Sequence, residues 1–458
     1  MLDTIAKGCV NIFKIKEVRT KVFITLGIIL VCRIIANIPC PGIDVNALGL
    51  YLKKFGGAST SDVGILFGIF DMFTGGAIEK FAIATLGIIP YISASIIMQM
   101  LQPVVPKLGR MLREEGDEGR YKFNQYVKYL TLIICIIQGF AASYSMMHPY
   151  RIGLPVPENS IVIDPGIFFV LTTVVILVCG TMILVWLGEK ITEYGIGNGA
   201  SIIITIGILS RVPNACHNLY NMFTNEMSSI QNTKLIYAFL LFFLFVFITM
   251  ATIMLIQGQR RVPMYYMKSM MKNNLINTKS NYIPLKVNFS GVMPLILSSA
   301  IMMVPSFLIR MIPSISSFSR YFNYGSALYI VIYGLMILFF SYFWVINQFN
   351  PINLANSIAR DGAFVPGIRP GKPTAEYFDD VMTKITLSGS IFLIFISIFP
   401  MLISNQLEIQ YIVSSFFGGT SLIIMVGVTL DVLNQLESHM ITRNYDTFMG
   451  DSRIIGRR

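Results

Sequence analysis

Hydrophobic residues along this chain gather in blocks of roughly 17 to 22 residues instead of alternating with polar residues. About 20 consecutive apolar residues form a helix that spans the hydrocarbon core of a bilayer, so each block predicts a transmembrane helix. Ten blocks qualify, at residues 22–38, 81–101, 129–147, 167–188, 195–212, 235–256, 292–312, 327–346, 385–403 and 412–430. The pattern predicts an all-α integral membrane protein of about ten transmembrane helices.

Composition favours a single membrane domain over residues 1–458. The chain is 54% hydrophobic and 13% charged, whereas soluble proteins carry about 25% charged residues. Length alone would suggest two or three domains, but the predicted spans run nearly from end to end.

Lysine and arginine residues are distributed unevenly between the two sets of loops. With ten spans, 26 of the 35 fall on one side of the membrane and eight on the other, and Arg33 lies inside the first span. Cytoplasmic loops carry the basic excess, so both termini, including the tail at 432–458, are predicted in the cytoplasm. Five-span halves at 21–212 and 235–431 then enter the membrane from opposite faces, which places a functional pathway between them near the midplane.

One apolar segment is too short to cross the membrane. Residues 64–74 (GILFGIFDMFT) lie on the predicted external side, and Gly75 and Gly76 separate them from the next helix. Two interpretations stay open: an amphipathic turn on the surface, or a short helix folded back into a cavity, where protein or water surrounds its backbone. The second interpretation makes the segment a candidate plug, with these candidate residues: Gly64, Phe67, Phe70, Met72, Phe73 and Thr74.

Two long cytoplasmic loops, at 257–291 and 347–384, are basic and punctuated by glycine and proline. They are too polar to lie in lipid. We expect them to form a docking surface for a partner outside the membrane.

Motifs for enzymatic chemistry are absent from the sequence. It contains no GxxxxGK[ST], no HExxH and no Ser/His/Asp set within the spans, so we predict no catalytic residue, metal site or cofactor. An alternative class is a secondary transporter built from inverted repeats, which would need charged or polar ligands at the midplane. Ionisable residues mark such paths, and only Arg33 lies deep in a span.

Polar residues inside the spans are open to two interpretations. Gln99 and Asn198 either face a central pathway or form hydrogen bonds between helices. The glycine-rich GIGNG at 195–199 follows no strand, which favours a tight turn between helices over a nucleotide site.

Seven motifs carry a resemblance to a known family. They are RIIANIPCPGID (33–44), DMFTGGAIEKFAIATLGIIPYISASIIMQML (71–101), WLGEKITEYGIGNGASIII (186–204), GQRR (258–261), YIPLKVNFSGVMP (282–294), GAFVPGIRPGKPT (362–374) and FGGTSLIIMVGV (417–428). In this order and spacing the chain resembles the SecY translocon channel family from about residue 19 to residue 431.

The resemblance implies an hourglass pore between two inverted five-helix halves. Such a pore passes nascent or unfolded polypeptides outward, binds signal peptides and releases apolar helices into the lipid bilayer through a lateral gate of the second and seventh spans. An apolar constriction that gates by dewetting suits a pore without sequence preference. By motif, the family's ring falls on Ile88, Ile92, Ile204, Ile296 and Ile424, with Ala200 or Ala300 as the sixth position. Without the family, these isoleucines would count as ordinary core or lipid-facing residues.

The resemblance also implies partners and a location. Arg369 matches the family's basic residue that meets the motor ATPase SecA or the ribosome, with Lys372 beside it and Arg260 and Arg261 in the companion loop. The alternative is that these residues only supply positive charge on the cytoplasmic side. SecE and SecG are the expected small membrane subunits, and the bacterial cytoplasmic (inner) membrane is the expected location. A partner supplies the energy, so we expect a channel and no enzyme.

Overall fold

The computed structural model describes residues 16–49, 71, 73–149, 161–217, 231–266, 281–299, 301–302, 326–407 and 420–451. Its helices are α1 (Lys16–Ile35), α2 (Ile89–Val104), α3 (Pro106–Glu114), α4 (Gly116–Met147), α5 (Ile167–Tyr194), α6 (Gly199–Leu209), α7 (Gln231–Gln257), α8 (Ala327–Gln348), α9 (Pro351–Arg360), α10 (Lys372–Leu407) and α11 (Thr420–Asp451). Its strands are β1 (Gln259–Tyr266), β2 (Asn281–Lys286) and β3 (Ala363–Phe364). Residues 293–299 and 301–302 are also helical.

Each of the ten predicted spans falls wholly or partly on a helical segment. Within the described part of the chain, six helices are long and apolar enough to cross a membrane. Two other predicted spans do not reach the length needed to cross a membrane. Helix α2 has only 16 residues, and the seventh span is described only as far as residue 302. The prediction of a multi-pass helical membrane protein is confirmed.

The second span begins later than the sequence predicts. Turns occupy residues 77–88, and α2 begins at Ile89, so the predicted start at residue 81 is wrong. Phe81 and Gly87 have φ angles of 41° and 60°. These left-handed conformations are incompatible with a continuing right-handed helix.

The irregular segment before α2 pairs with the chain that follows α1. The backbone N–H of Cys40 donates to the Phe81 carbonyl at 3.0 Å, and that of Ile83 donates to the Ile38 carbonyl at 2.9 Å. Gly180 on α5 makes room for this irregular segment, because a Cβ at that position would lie 2.1 Å from the Ile83 carbonyl oxygen. Non-helical backbone next to membrane-spanning helices needs such partners wherever lipid surrounds it, since lipid supplies none.

A buried apolar cluster joins the loop after α1 to the segment before α5. Ile43 and Val162 form an antiparallel bridge within it. Met146, Ile161 and Val162 are buried there, so the described residues on both sides of 150–160 pack against the rest of the unit. Burial raises the pKa of the Cys40 thiol to about 12, which keeps it protonated. The buried members of the cluster are Cys40, Ile43, Leu48, Phe81, Met146, Ile161, Val162, Phe169 and Leu177.

A small antiparallel sheet, in the order β2-β1-β3, interrupts the helical architecture. Strand β1 pairs with β2 from Gln259↔Lys286 to Met264↔Asn281, and with β3 at Tyr265↔Phe364. The prediction of an all-α chain therefore misses three strands. It treated their segments as parts of two long loops, because those stretches are basic, too polar to lie in lipid and punctuated by glycine and proline.

The chain forms two compact units. The first comprises Met1–Tyr220 together with Val428–Arg458, and the second comprises Asn221–Gly427. Helix α11 begins in the second unit and continues into the first. The inverted relation between five-span halves stays a prediction.

Candidate functional site

The candidate plug is described at its C-terminal end. Asp71 and Thr74 are buried there and Phe73 is half-buried. The N–H groups of Gly75 and Gly76 donate to the Asp71 carbonyl at 2.8 and 3.3 Å, so a glycine turn ends the segment, as predicted. The remaining plug candidates lie outside the described residues: Gly64, Phe67, Phe70 and Met72.

The glycine turn is fixed to α1 and α6. Arg33 of α1 donates from Nη1 to the Gly75 carbonyl at 3.2 Å, and the Ser210 hydroxyl lies 3.1 Å from the same oxygen. A Cβ on Gly207 would lie 2.8 Å from the Phe73 carbonyl oxygen, so the plug end and α6 touch backbone to backbone. The charge of Arg33 inside the first span is thus bound to the end of the candidate plug.

A second arginine holds the same segment through ion pairs. Arg211 pairs with Asp71, and its Nη1 lies 2.9 Å from Oε1 of Glu79. The side chains of Arg211 and Asp71 are each 13% exposed, whereas that of Glu79 is 51% exposed. Together with Arg33, the residues Arg211, Asp71 and Glu79 carry two positive and two negative charges. This balance suits Arg211 and Asp71, which are mostly removed from water. Sequence reasoning counted Arg211 only as external charge; two acidic residues flanking a glycine pair were the signal that could have exposed its role.

The predicted ring isoleucines are all largely withdrawn from solvent. Four are buried and one is half-buried: Ile88, Ile204, Ile296 and Ile424 are buried, and Ile92 is half-buried. The N–H of Ile92 donates to the Ile88 carbonyl at 3.2 Å, which places these two one helical turn apart. Of the two candidates for the sixth position, Ala200 is half-buried and Ala300 lies outside the described residues.

One ring isoleucine meets the end of the candidate plug. Ile88 lines a small cavity together with Phe73 and Thr74, and α1, α5 and α6 supply other walls. Gly87 keeps this approach open, because a Cβ there would lie 3.3 Å from Cγ2 of Thr74. Within the first unit, the structure therefore places a predicted ring isoleucine and the end of the candidate plug around one cavity. The sequence predicts the ring and the plug separately.

The two polar candidates have local partners. Gln99 donates to Ser95, one turn earlier on α2, at 3.1 Å. Asn198 is the N-cap of α6, and its side chain accepts from the N–H groups of Ala200 and Ser201. N-capping accounts for Asn198 without a pore-facing role.

The glycine-rich segment 195–199 is a tight turn between α5 and α6, as predicted. A Cβ on Gly199 would lie 1.8 Å from the Gly188 carbonyl oxygen, and Gly197 has a φ of 84°. The Gly197 N–H donates to Oε1 of Gln435 on α11 at 2.7 Å. The described part of the predicted tail, residues 432–451, is helical, and Gln435 within it contacts this turn.

Basic candidates on the sheet are exposed. Arg260 and Arg261 lie on β1. The guanidinium carbon of Arg261 lies 4.8 Å from the ring centroid of Tyr282 on β2. This cation–π contact restrains one of the two side chains without burying its charge.

Arg369 lies on a loop that its own hydrogen bonds and glycines shape. Gly367 and Gly371 have φ angles of 81° and 105°, and the Thr374 hydroxyl donates to the Arg369 carbonyl at 2.8 Å. Arg369 and Lys372 are both exposed. The loop offers its charges on a fixed backbone.

One core supports both predicted docking loops. We call Arg260, Arg261, Arg369 and Lys372 the basic platform; none of them forms an ion pair with a described residue. The sheet, α9 and the start of α10 share this core. Its buried members are Val262, Leu285, Val345, Ile358, Ala363, Val365, Phe378, Val381, Met382 and Ile385.

These features define a class: a polytopic helical membrane protein with irregular backbone packed on its helices and a basic platform on its second unit. The family model described as SecY matches residues 82–433. The protein translocase subunit SecY of Chlamydia muridarum is 36% identical over 457 residues, covering 98% of this chain and 99% of that relative. The subunit of the same name from Escherichia coli K12 is 36% identical over 446 residues, covering 96% of each. The chain belongs to the SecY family.

Solved structures share the fold. A protein-conducting channel and a SecY protein studied for its plug domain each match with a TM-score of 0.59 at 16% identity. Canine Sec61, in a ribosome-channel complex, matches with 0.58 at 15% identity. Each match covers 92% of both chains. Family membership makes the chain a translocase channel subunit and not an enzyme, and it sets aside the secondary-transporter alternative.

Proposed function

We propose that this channel subunit passes unfolded polypeptide outward through an apolar constriction formed by its ring isoleucines, sealed at rest by residues 64–74. The observation that carries the proposal is the cavity that Ile88 shares with Phe73 and Thr74. A further support is the solved SecY protein whose plug domain stabilises the closed state and maintains a membrane seal.

An apolar ring suits this work because it needs no specific contact with its cargo. A narrow, dewetted constriction excludes ions at rest, yet it can deform around any side chain. We further propose that apolar segments of the cargo leave sideways between the second and seventh spans, into the lipid bilayer.

The basic platform supports a proposal about partners. Exposed arginines on a fixed loop offer bidentate contacts to carboxylates or phosphates, which suits either the motor ATPase SecA or ribosomal RNA. The canine relative occurs in a ribosome-channel complex. The subunit would act with SecE and SecG in the bacterial cytoplasmic membrane, with both termini in the cytoplasm, as the basic residues of its loops indicate.

The ring is tested by replacing one isoleucine in each unit with asparagine. Ile88→Asn and Ile424→Asn should each wet the constriction and raise the resting conductance of the reconstituted channel. A shift of about 1.4 kcal/mol toward the open state would raise a small open fraction roughly tenfold. Export of a reporter with a defective signal sequence should rise in parallel.

Ile137→Asn is the matched control. Ile137 lies on α4 and is 64% exposed, so this variant adds the same polar group to a span outside the ring. We expect an unchanged resting conductance. Wild-type conductance and signal selectivity in both ring variants would show that these residues only pack the units.

A further inference from the structure

We infer that Gln435 is a positioning residue for the constriction proposed above, because it holds the turn from which α6 starts and thereby fixes where Ile204 lies. Gln435 lies on α11, in the described part of the tail, and belongs to the same unit as α6. The role depends on the proposed ring, but it falls on a residue outside that ring.

The turn before α6 contains buried backbone donors. Ile196, Gly197 and Gly199 are buried, and α6 begins at Gly199. The first N–H groups of a helix find no acceptor within it, and a buried N–H without a partner is unfavourable. The cap Asn198 accepts from the two residues that follow Gly199. The buried donors of the turn therefore need acceptors from other parts of the fold.

Threonines of two other helices supply two of these acceptors. The Ile196 N–H donates to the Thr25 hydroxyl of α1 at 3.2 Å, and the Gly199 N–H donates to the Thr192 hydroxyl of α5 at 2.9 Å. Each hydroxyl also donates to a carbonyl of its own helix, at 2.8 and 3.1 Å. Both threonines are thus oriented to receive a bond from the turn.

The tail helix supplies the third acceptor. Oε1 of Gln435 accepts from the Gly197 N–H at 2.7 Å, the shortest of the three bonds. The tail packs closely here, because a Cβ on Gly197 would lie 3.1 Å from Cγ2 of Val432. We call the side chains of Thr25, Thr192 and Gln435 the clamp. It holds the turn from α1, α5 and α11 at once.

Helix α6 carries the position of the turn to the ring. The helix has 11 residues, and Ile204 lies five residues after its first residue, about 7.5 Å along the axis. The start of α6 touches α5 backbone to backbone, since a Cβ on Gly199 would lie 1.8 Å from the Gly188 carbonyl oxygen. A short helix moves as one body, so a displacement of its first turn also displaces Ile204.

The same crossing borders a second ring isoleucine. A Cβ on Gly188 would lie 3.3 Å from Cδ1 of Ile203 on α6 and 3.6 Å from Cδ1 of Ile88. Ile88 and α6 therefore meet beside Gly188. If α6 moves away from α5 at this point, Ile88 loses packing and Ile204 shifts with its helix. Releasing the clamp should thus loosen the constriction.

The test compares three substitutions of Gln435 in the reconstituted channel. Gln435→Leu removes the acceptor, and Gln435→Asn keeps the amide on a side chain one methylene shorter. Both should raise the resting conductance about two- to tenfold, the change expected in an equilibrium that one hydrogen bond of ordinary strength controls. Gln435→Glu keeps an acceptor oxygen at the same reach and should show wild-type conductance. A merely structural role of the tail would not produce this rescue.

Two further variants accompany the series. Asn434→Leu is the matched control, because Asn434 is the exposed neighbour of Gln435 on α11 and is no part of the clamp; we expect wild-type conductance. Thr25→Val removes a second acceptor and should match Gln435→Leu within about twofold. The affinity for SecA should be unchanged in every variant. Thermal unfolding separates loss of the clamp from loss of the fold.

Ile88→Asn distinguishes failure of the clamp from failure of the ring. If Ile88→Asn leaks while folded Gln435→Leu and Gln435→Asn do not, the ring stands and the clamp is wrong. If Ile88→Asn does not leak, the ring is wrong, and so is a residue that positions it. Equal leaks in Gln435→Leu and Gln435→Glu, a leak in Asn434→Leu, or a lower SecA affinity at normal conductance would also overturn the assignment.

Discussion

The end of the candidate plug and the basic platform use arginine in opposite ways. At the plug end, Arg33 and Arg211 are bound to a backbone carbonyl and to carboxylates of the same chain. On the platform, Arg261 and Arg369 are exposed and form no ion pair with a described residue. At the plug end, the arginine charges are paired within the chain. On the platform, the arginine charges stay available for a binding partner.

Under the proposed function, this difference would let the channel separate gating from docking. Mostly buried charges must find partners within the chain, so they suit a contact inside the molecule. Exposed charges on a rigid scaffold lose little conformational freedom on binding, so they suit an external partner. Substitutions at three sites, Arg369, Gly207 and Tyr282, test this division, from the largest expected effect to the smallest.

The largest effect is expected at Arg369. Arg369→Glu should abolish motor-driven export, because reversing a contact charge at an interface costs about 2–5 kcal/mol, roughly 30-fold or more in affinity. Arg369→Lys should weaken export measurably, since lysine keeps the charge but loses the planar fork. The measurement is SecA-driven translocation into vesicles, with membrane insertion of the channel checked in parallel.

Arg360→Glu is the control for Arg369. It makes the same charge change on α9, in the same predicted loop, where Arg360 is exposed and, among the described residues, bonds only its own helix. Equal losses in both variants would mean that the residues serve as topological charge and that docking lies elsewhere.

The sequence predicts the spans well because twenty-residue apolar blocks follow directly from bilayer thickness. It predicts the glycine turns at 75–76 and 195–199, because glycine adopts left-handed conformations at the lowest steric cost. It misses the start of α2, since apolar residues 81–88 fit a helix by composition and only tertiary pairing makes them irregular. The sequence does not predict the Arg211–Asp71 ion pair, because its members are 140 positions apart and only the fold brings them together.

An intermediate effect is expected at the contact between α6 and the plug end. Gly207→Ala would place a Cβ 2.8 Å from the Phe73 carbonyl oxygen, and overpacking of this kind costs about 1–3 kcal/mol. We expect a lower unfolding temperature and a higher resting conductance.

Gly27→Ala is the matched control on α1, where a Cβ would meet no atom within 4 Å. This variant should be neutral or slightly stabilising, because alanine favours helix over glycine by about 1 kcal/mol. Unchanged conductance in a folded Gly207→Ala channel would show that this contact does not hold the plug.

The smallest effect is expected on the platform, at the ring that restrains Arg261. Tyr282→Leu removes a cation–π contact of about 0.5–1 kcal/mol, so partner affinity should fall roughly 2- to 5-fold while the arginine remains.

Tyr265→Leu is the control. Tyr265 lies on the same sheet with 45% exposure against 44% for Tyr282, and its ring contacts the ring of Phe364 instead of a cation. Equilibrium binding of SecA to the reconstituted channel provides the measurement. Equal affinities for the two variants would mean that Arg261 docks without this restraint, and that its exposure alone, and not its orientation, serves the partner.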